Sequence, residues 1–310
     1  MTIPAKPAGR LDPARLAIQV AMYVVIMWLT REILGRVMVW VAGYFAGSLL
    51  GNLAIALVAN LLVLRMFTTC KLVDLGMWWN RASMENLGLG ILGGSGAACL
   101  VLGPAVLAGA ARFAGTPNDQ PSFERLIFVA ALLAFAAMGE ELMMRGYGFQ
   151  ILLATCGTWA TILPVGVVFA WLHTGNPNAT WLGIANTAGF GILFGYAYVR
   201  SRDLWLPAGL HFGWNVALPL FGVNVSGLTM KVTGHEMVWS AGTLWSGGEY
   251  GPEASVLTSI VMAVLAVYLW KAPVRRQVSP VTGPLADVPV VERNGRQDVR
   301  RKGEPCEPLP

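Results

Sequence analysis

The order of apolar and polar residues divides the chain into long uncharged apolar stretches separated by short polar segments. Stretches of this kind are typical of membrane-spanning helices, which need about 20 mostly apolar residues. They predict eight spans, at roughly residues 16–30, 37–64, 87–111, 123–153, 158–174, 182–199, 204–221 and 255–270. The second and fourth runs are longer than a span requires, so we expect these helices to tilt or to extend into water.

The composition agrees with a membrane protein. The 310 residues are 55% hydrophobic and 13% charged, with a mean hydropathy of +0.57, whereas a soluble domain has about 25% charged residues. No internal repeat is visible. The predicted fold is therefore all-α, a polytopic integral membrane helical bundle of about eight transmembrane helices. The net charge of +5 is explained by anchors at the membrane surface, so the expected partner is the lipid bilayer and no nucleic acid is expected.

The distribution of Lys and Arg predicts the orientation, because loops on the cytoplasmic side carry more of both. With the N-terminus inside, eleven such residues fall on the inner side and four on the outer side. The inner ones are Lys6, Arg10, Arg15, Arg65, Lys71, Arg81, Arg200, Arg202, Lys271, Arg275 and Arg276, and the outer ones are Arg31, Arg36, Arg112 and Lys231. We expect a multi-pass protein of the plasma (inner) membrane with both termini cytoplasmic. The Pro- and Arg-rich segment 271–310 lacks apolar periodicity, which predicts a disordered cytoplasmic tail.

One predicted span contains charged residues, in the stretch GEELMMRGYGFQ from Gly139 to Gln150. Three charges facing lipid would cost roughly 7–10 kcal/mol, so their side chains must face protein. Glu141 and Arg145 are i and i+4 and can pair along one helix face. Glu140 is rotated by about 100° and has no local partner. A structural ion pair explains the first two residues, and Glu140 remains a functional candidate.

Three further polar residues, His173, His211 and Asn215, also lie in predicted spans. Each one alone is compatible with an ordinary hydrogen bond between helices, as are Asn52 and Asn60 on one face of the second span. Helix rise places Glu140 and His173 at similar depths, about 18 and about 22 Å from the inner ends of their spans. A carboxylate, two imidazoles and a carboxamide together are the inventory of a hydrolytic site.

Each of these residue types suits one step of amide hydrolysis. Glu140, among apolar side chains, is suited to take a proton from water, which His173 would hold and orient. His211 and Asn215 would donate hydrogen bonds to the oxyanion. Arg145, paired with Glu141, would fix the helix that carries the base.

The same residues carry a family resemblance. EELMMR followed by GYGFQ resembles the Glu-Glu-x-x-x-Arg motif of the CAAX-protease and bacteriocin-processing family, also called the abortive-infection family. Phe169 with His173 is similar to its Phe-x-x-x-His motif, and His211 with Asn215 to its His-x-x-x-Asn motif. All three occur in the family's order on three spans. We therefore divide the chain into N-terminal transmembrane helices (1–119), a CAAX-protease-like catalytic core (120–221), an outer loop with the last span (222–270) and the tail (271–310).

The resemblance implies an all-helical intramembrane endopeptidase whose substrate is a membrane-associated peptide or protein. It implies that Glu140 is the base with His173 as its partner, that His211 and Asn215 stabilise the oxyanion, and that Glu141 and Arg145 support them. The eukaryotic branch of the family trims the last three residues from prenylated proteins. Bacterial members are often linked to bacteriocin maturation or self-immunity.

Three alternatives stay open at this point. Zinc catalysis needs about three protein ligands and a water, which Glu140, His173 and His211 are able to supply. No His-Glu-x-x-His motif is present, and we favour glutamate catalysis that requires no cofactor. The other two alternatives are a non-catalytic immunity or scaffold protein of the same fold and a small-solute transporter. A transporter predicts charges on several helices and repeated halves.

Overall fold

The computed structural model describes residues 11–116 and 120–281. The basic residues Lys6 and Arg10 and the predicted tail from residue 282 onward lie outside this description. The structure is 74% helical and 5% strand. Its α-helices are α1 Pro13–Thr30, α2 Arg36–Phe67, α3 Arg81–Leu107, α4 Phe123–Arg145, α5 Tyr147–Cys156, α6 Thr158–Leu172, α7 Trp181–Ser201, α8 Trp205–Leu220, α9 Thr243–Ser246 and α10 Val256–Lys271. Its strands are β1 Ala111–Gly115 and β2 His235–Trp239.

The helices follow the eight predicted spans in order, with α4 and α5 together forming the fourth. Within the described residues, four helical stretches are long and apolar enough to cross a membrane, and α6 and α10 are shorter apolar helices. The four stretches are Pro13–Phe67, Arg81–Leu107, Phe123–Cys156 and Trp181–Ser201. The fold is therefore a helical membrane bundle.

The turn between the first two spans lies later than the sequence predicted. A π-helical turn, Arg31–Gly35, joins α1 directly to α2, and the helical conformation breaks at Gly43, where φ is 76° and ψ is 169°. Met38 lies against the backbone of Gly47 beyond this break. Charged residues such as those near residue 31 do not have to end a helix, because they can form i,i+4 pairs along it.

Helices α3 and α8 pack closely because glycines face each other at their contact. Gly90 and Gly94 of α3 and Gly209 and Gly213 of α8 are each spaced by four residues. A Cβ atom at Gly90 would lie 2.9 Å from the Gly209 Cα atom, which is too close for any other residue. Small residues at this spacing let membrane helices approach. The contact fixes α8, which carries two of the predicted site residues.

Two short strands join distant parts of the chain and were not predicted. β1 pairs antiparallel with β2, so that Ala111 lies opposite Trp239 and Gly115 lies opposite His235. The predicted outer loop 222–254 is therefore tied by backbone hydrogen bonds to the segment that follows α3.

The chain after α10 is attached to the bundle as far as residue 281. Gln277 donates a hydrogen bond to Asp203 Oδ2 at 2.5 Å, and the buried Ser279 donates to Gln150 Oε1 at 3.1 Å. The prediction of a disordered tail is therefore wrong for residues 272–281. This segment lacks apolar periodicity because its polar side chains bind polar groups at the end of the bundle.

Candidate active site

Three helices bring the predicted catalytic residues together. Glu140 lies in the second half of α4, His173 caps the C-terminal end of α6, and His211 lies in the middle of α8. Glu140 Oε2 is 3.9 Å from His173 Nε2 and 3.7 Å from His211 Nε2. The Glu140 side chain is 21% exposed, although its Oε2 atom is itself buried.

The neighbouring carboxylate, Glu141, has a different environment. Its side chain is completely buried, with Oε1 at 3.0 Å from His211 Nδ1 and Oε2 at 3.2 Å from Arg145 Nη1. The i,i+4 pair predicted from the spacing is therefore present. Arg145 is also completely buried, and its Nη2 donates to the Gly191 carbonyl oxygen at 2.5 Å. Glu141 thus bridges the guanidinium and one imidazole.

Two aromatic rings enclose the buried cation. The Arg145 guanidinium carbon lies 5.5 Å from the ring centroid of Phe169 and 5.7 Å from that of Phe194. These distances fall within the range of cation–π attraction. Phe194 also stacks on His211, with centroids 5.0 Å apart and an interplanar angle of 18°. Sequence reasoning identified Phe169 through its motif but missed Phe194, since an apolar residue in an apolar helix gives no signal.

Hydrogen bonds set the direction of both imidazoles. His173 Nδ1 lies 2.8 Å from the carbonyl oxygen of Phe169, which only accepts, so this nitrogen carries the hydrogen. His211 Nδ1 faces Glu141 in the same way. Both rings therefore direct Nε2 towards Glu140.

The distances from Glu140 Oε2 to the two Nε2 atoms exceed the usual hydrogen-bond range. This oxygen is buried and has no hydrogen-bond partner within residues 11–116 and 120–281. The carboxylate and the two imidazoles therefore face each other without a direct hydrogen bond. The other oxygen, Oε1, accepts a hydrogen bond from Asn52 Nδ2 at 3.3 Å. Sequence reasoning expected Asn52 to bond between helices but did not identify its partner.

The structure places Asn215 one helical turn after His211 on α8. It is half-buried, and its carboxamide makes no hydrogen bond in the described part of the chain. This amide is therefore free to donate to a ligand.

The zinc alternative requires about three protein donor atoms around one point. No three His, Cys, Asp or Glu side chains among the described residues are placed so that they would hold a metal ion. We derive no catalytic step that uses a metal.

The end of α4 is held by a residue of α2. Asn60 donates to the Leu142 carbonyl oxygen at 3.2 Å and accepts from the Tyr147 amide at 2.8 Å. These bonds span the break at Gly146 between α4 and α5. The predicted role of Asn60 in joining helices is confirmed.

Part of the chain resembles a known protein family. Residues 122–217 match the family model described as type II CAAX prenyl endopeptidase, Rce1-like. The chain is therefore similar to this family over residues 122–217, the Rce1-like segment. The match runs from the start of α4 into α8 and includes all six predicted site residues, whereas α1–α3 and α10 lie outside it. No curated protein matches the chain. Since the Rce1-like family is a protease family, the match supports a membrane-bound hydrolase.

Proposed function

We propose that this protein is an intramembrane endopeptidase that hydrolyses peptide bonds of membrane-associated substrates. The observation that carries the proposal is the position of Glu140 Oε2, which lies 3.9 and 3.7 Å from two imidazole nitrogens. This arrangement supports activation of a water molecule by a carboxylate. The Rce1-like match over residues 122–217 supports peptide substrates.

In the first step, Glu140 and His173 act on one water molecule. The water donates one hydrogen bond to His173 Nε2, which orients it, and transfers its other proton to Glu140 Oε2. Its oxygen forms a bond to the carbonyl carbon of the substrate, and the carbonyl oxygen becomes an oxyanion. The enclosed setting strengthens these polar interactions, because little water competes with them.

In the second step, the intermediate collapses. His211, when doubly protonated, donates from Nδ1 to Glu141 and from Nε2 to the oxyanion, and the amide of Asn215 donates as well. Donors fixed in advance stabilise the developing charge without reorganisation. The C–N bond then breaks, and Glu140 returns the proton to the leaving amine.

Glu141 and Arg145 are positioning residues in this scheme. Neither is exposed, so neither contacts substrate. Their role is to hold the His211 ring so that Nε2 faces the reacting atoms.

The substrate class follows from the site's location in a membrane bundle. We propose that the substrate is a peptide segment held at the membrane, and that C-terminally prenylated peptides belong in the first panel because of the Rce1-like match. Matched peptides with and without the lipid would show whether prenylation is recognised.

The decisive experiment is a peptidase assay of purified protein with Glu140→Gln. This change keeps the shape and removes the base, so the rate should fall by at least ~10²-fold, the low end for general-base catalysis. Glu124→Gln is the matched control, because Glu124 is exposed at the start of the same helix, and it should retain the wild-type rate. Cleavage at the wild-type rate by Glu140→Gln would reject the proposal and favour a binding or transport role.

A further inference from the structure

We propose that Asn52, which lies outside the Rce1-like segment, is a positioning residue that selects the oxygen of Glu140 that acts as the base. This inference rests on the proposed function. Its first support is the hydrogen bond from Asn52 Nδ2 to Glu140 Oε1 at 3.3 Å, between residues 88 positions apart.

The second support is the close approach of the two helix backbones. Gly139 directly precedes Glu140, and a Cβ atom on it would lie 2.5 Å from the backbone nitrogen of Leu53 and 2.9 Å from the carbonyl carbon of Asn52. Only glycine fits at this distance. The backbone contact holds the short Asn52 side chain within reach of the carboxylate, so the hydrogen bond does not depend on a long flexible side chain.

The chemistry of the two groups explains why one oxygen is selected. The carboxamide nitrogen only donates, so Asn52 occupies Oε1 of the ionised carboxylate and does not take the proton. The other oxygen, Oε2, then faces the two imidazoles. Rotation about the last torsion of a glutamate side chain is broad, and without Asn52 the carboxylate would sample orientations in which neither oxygen meets the water.

Helix α2 holds α4 at a second point as well. Asn60, two turns after Asn52, binds the backbone at the end of α4 through Leu142 and Tyr147. The two asparagines lie on one face of α2. Together they fix the position of α4 along its axis, and its rotation about that axis, relative to α2. Helix α2 is thus part of the catalytic framework, although the Rce1-like match begins at residue 122.

The test compares the same substitution at two neighbouring positions of α2. In Asn52→Leu we expect kcat to fall about 10- to 100-fold, the range for losing a hydrogen bond to a charged group. KM should stay within about threefold, because the base acts in the transition state. Ser48→Leu is the control, since Ser48 is exposed and, in the described part of the chain, hydrogen-bonds only to Tyr44 in its own helix, at 2.6 Å. Asn52→Gln, which restores an amide donor, should recover part of kcat.

The outcomes separate this inference from the proposed function. If Asn52→Leu or Asn52→Ala keeps the wild-type kcat while Glu140→Gln is inactive, Asn52 is not a positioning residue and the proposed function stands. An equal loss in Ser48→Leu would also overturn the inference, because it would indicate a general disturbance of α2. Asn52→Ala replaces Asn52→Leu if the larger apolar side chain prevents folding. Full activity of Glu140→Gln would reject the proposed function itself.

Discussion

Glu141 Oε1 and His211 Nδ1 lie 3.0 Å apart, and both side chains are almost completely excluded from solvent. The other oxygen of Glu141 faces the buried Arg145. Three polar side chains are therefore linked in series, from the Arg145 guanidinium through Glu141 to the His211 imidazole. The other nitrogen of that imidazole, Nε2, faces Glu140. The Glu141 carboxylate thus holds these side chains together, and the adjacent carboxylate of Glu140 does not take part in this series.

Arg145→Ala should destabilise the fold strongly. The variant leaves Glu141 buried without its cation, an effect on the order of 3–5 kcal/mol. Thermal unfolding in detergent measures it. Arg81→Ala is the control, because Arg81 forms an i,i+4 pair with Glu85 but its side chain is 85% exposed, and exposed pairs contribute little. Equal melting temperatures for the two variants would contradict a structural role for the buried pair.

His211→Ala and Asn215→Ala should each slow hydrolysis by about 10²–10³-fold if both residues donate to the oxyanion. The loss should appear in kcat. Asn215→Ala should leave the melting temperature unchanged, since Asn215 makes no hydrogen bond among the described residues. A normal kcat with a raised KM in Asn215→Ala would show that Asn215 binds substrate without stabilising the transition state.

Zinc content and chelator sensitivity test the metal alternative on the same preparation. We expect zinc well below one ion per chain and little effect of chelators on turnover, because catalysis by Glu140 and His173 does not need a metal. Close to one zinc per chain that is lost in His173→Ala would require a zinc mechanism instead.

Glu253, in the outer loop, should make stability depend on pH. It is buried, and burial raises its pKa above the ordinary value of 4.5, although Ser226 and Trp214 donate hydrogen bonds to it. An acid with a raised pKa in the folded state favours folding in its protonated form. Stability should therefore decrease as pH rises from the ordinary carboxyl value through the raised one.

Melting curves of the wild type and Glu253→Gln between about pH 4 and about pH 8 isolate this effect. The wild type should lose stability relative to the variant as pH rises. Asp203, whose pKa burial also raises, is present in both proteins and cancels in the difference. Parallel curves would show that Glu253 does not titrate in this range.

Both termini should report a cytoplasmic location in reporter fusions, because eleven Lys and Arg residues fall on the predicted inner side and four on the outer side. Fusions at the two ends should give the same result. A periplasmic signal from one end only would mean an odd number of membrane crossings, and a periplasmic signal from both ends would mean the opposite orientation.

The sequence alone determined the properties that depend on local spacing. Long apolar runs indicated the membrane and the order of the helices, since an uncharged stretch of this length has few other stable environments. The pair of Glu141 and Arg145 followed from helix geometry. The three motifs, ending with His211 and Asn215, indicated the family that the match to residues 122–217 supports.

The tertiary structure decided which distant groups meet. The apolar pattern contains no information on whether Asn52 faces Glu140. Hydrophobic periodicity defines the buried face of a helix, but it does not specify which helix packs against that face or how far the two are shifted along their axes. The helix break at Gly43 was hidden for a similar reason, since apolar residues continue on both sides of it. Residues 272–281 looked unstructured because their polar side chains are satisfied by the bundle rather than by an apolar core. Such contacts form only when the helices pack, and a pattern read along one helix cannot specify them.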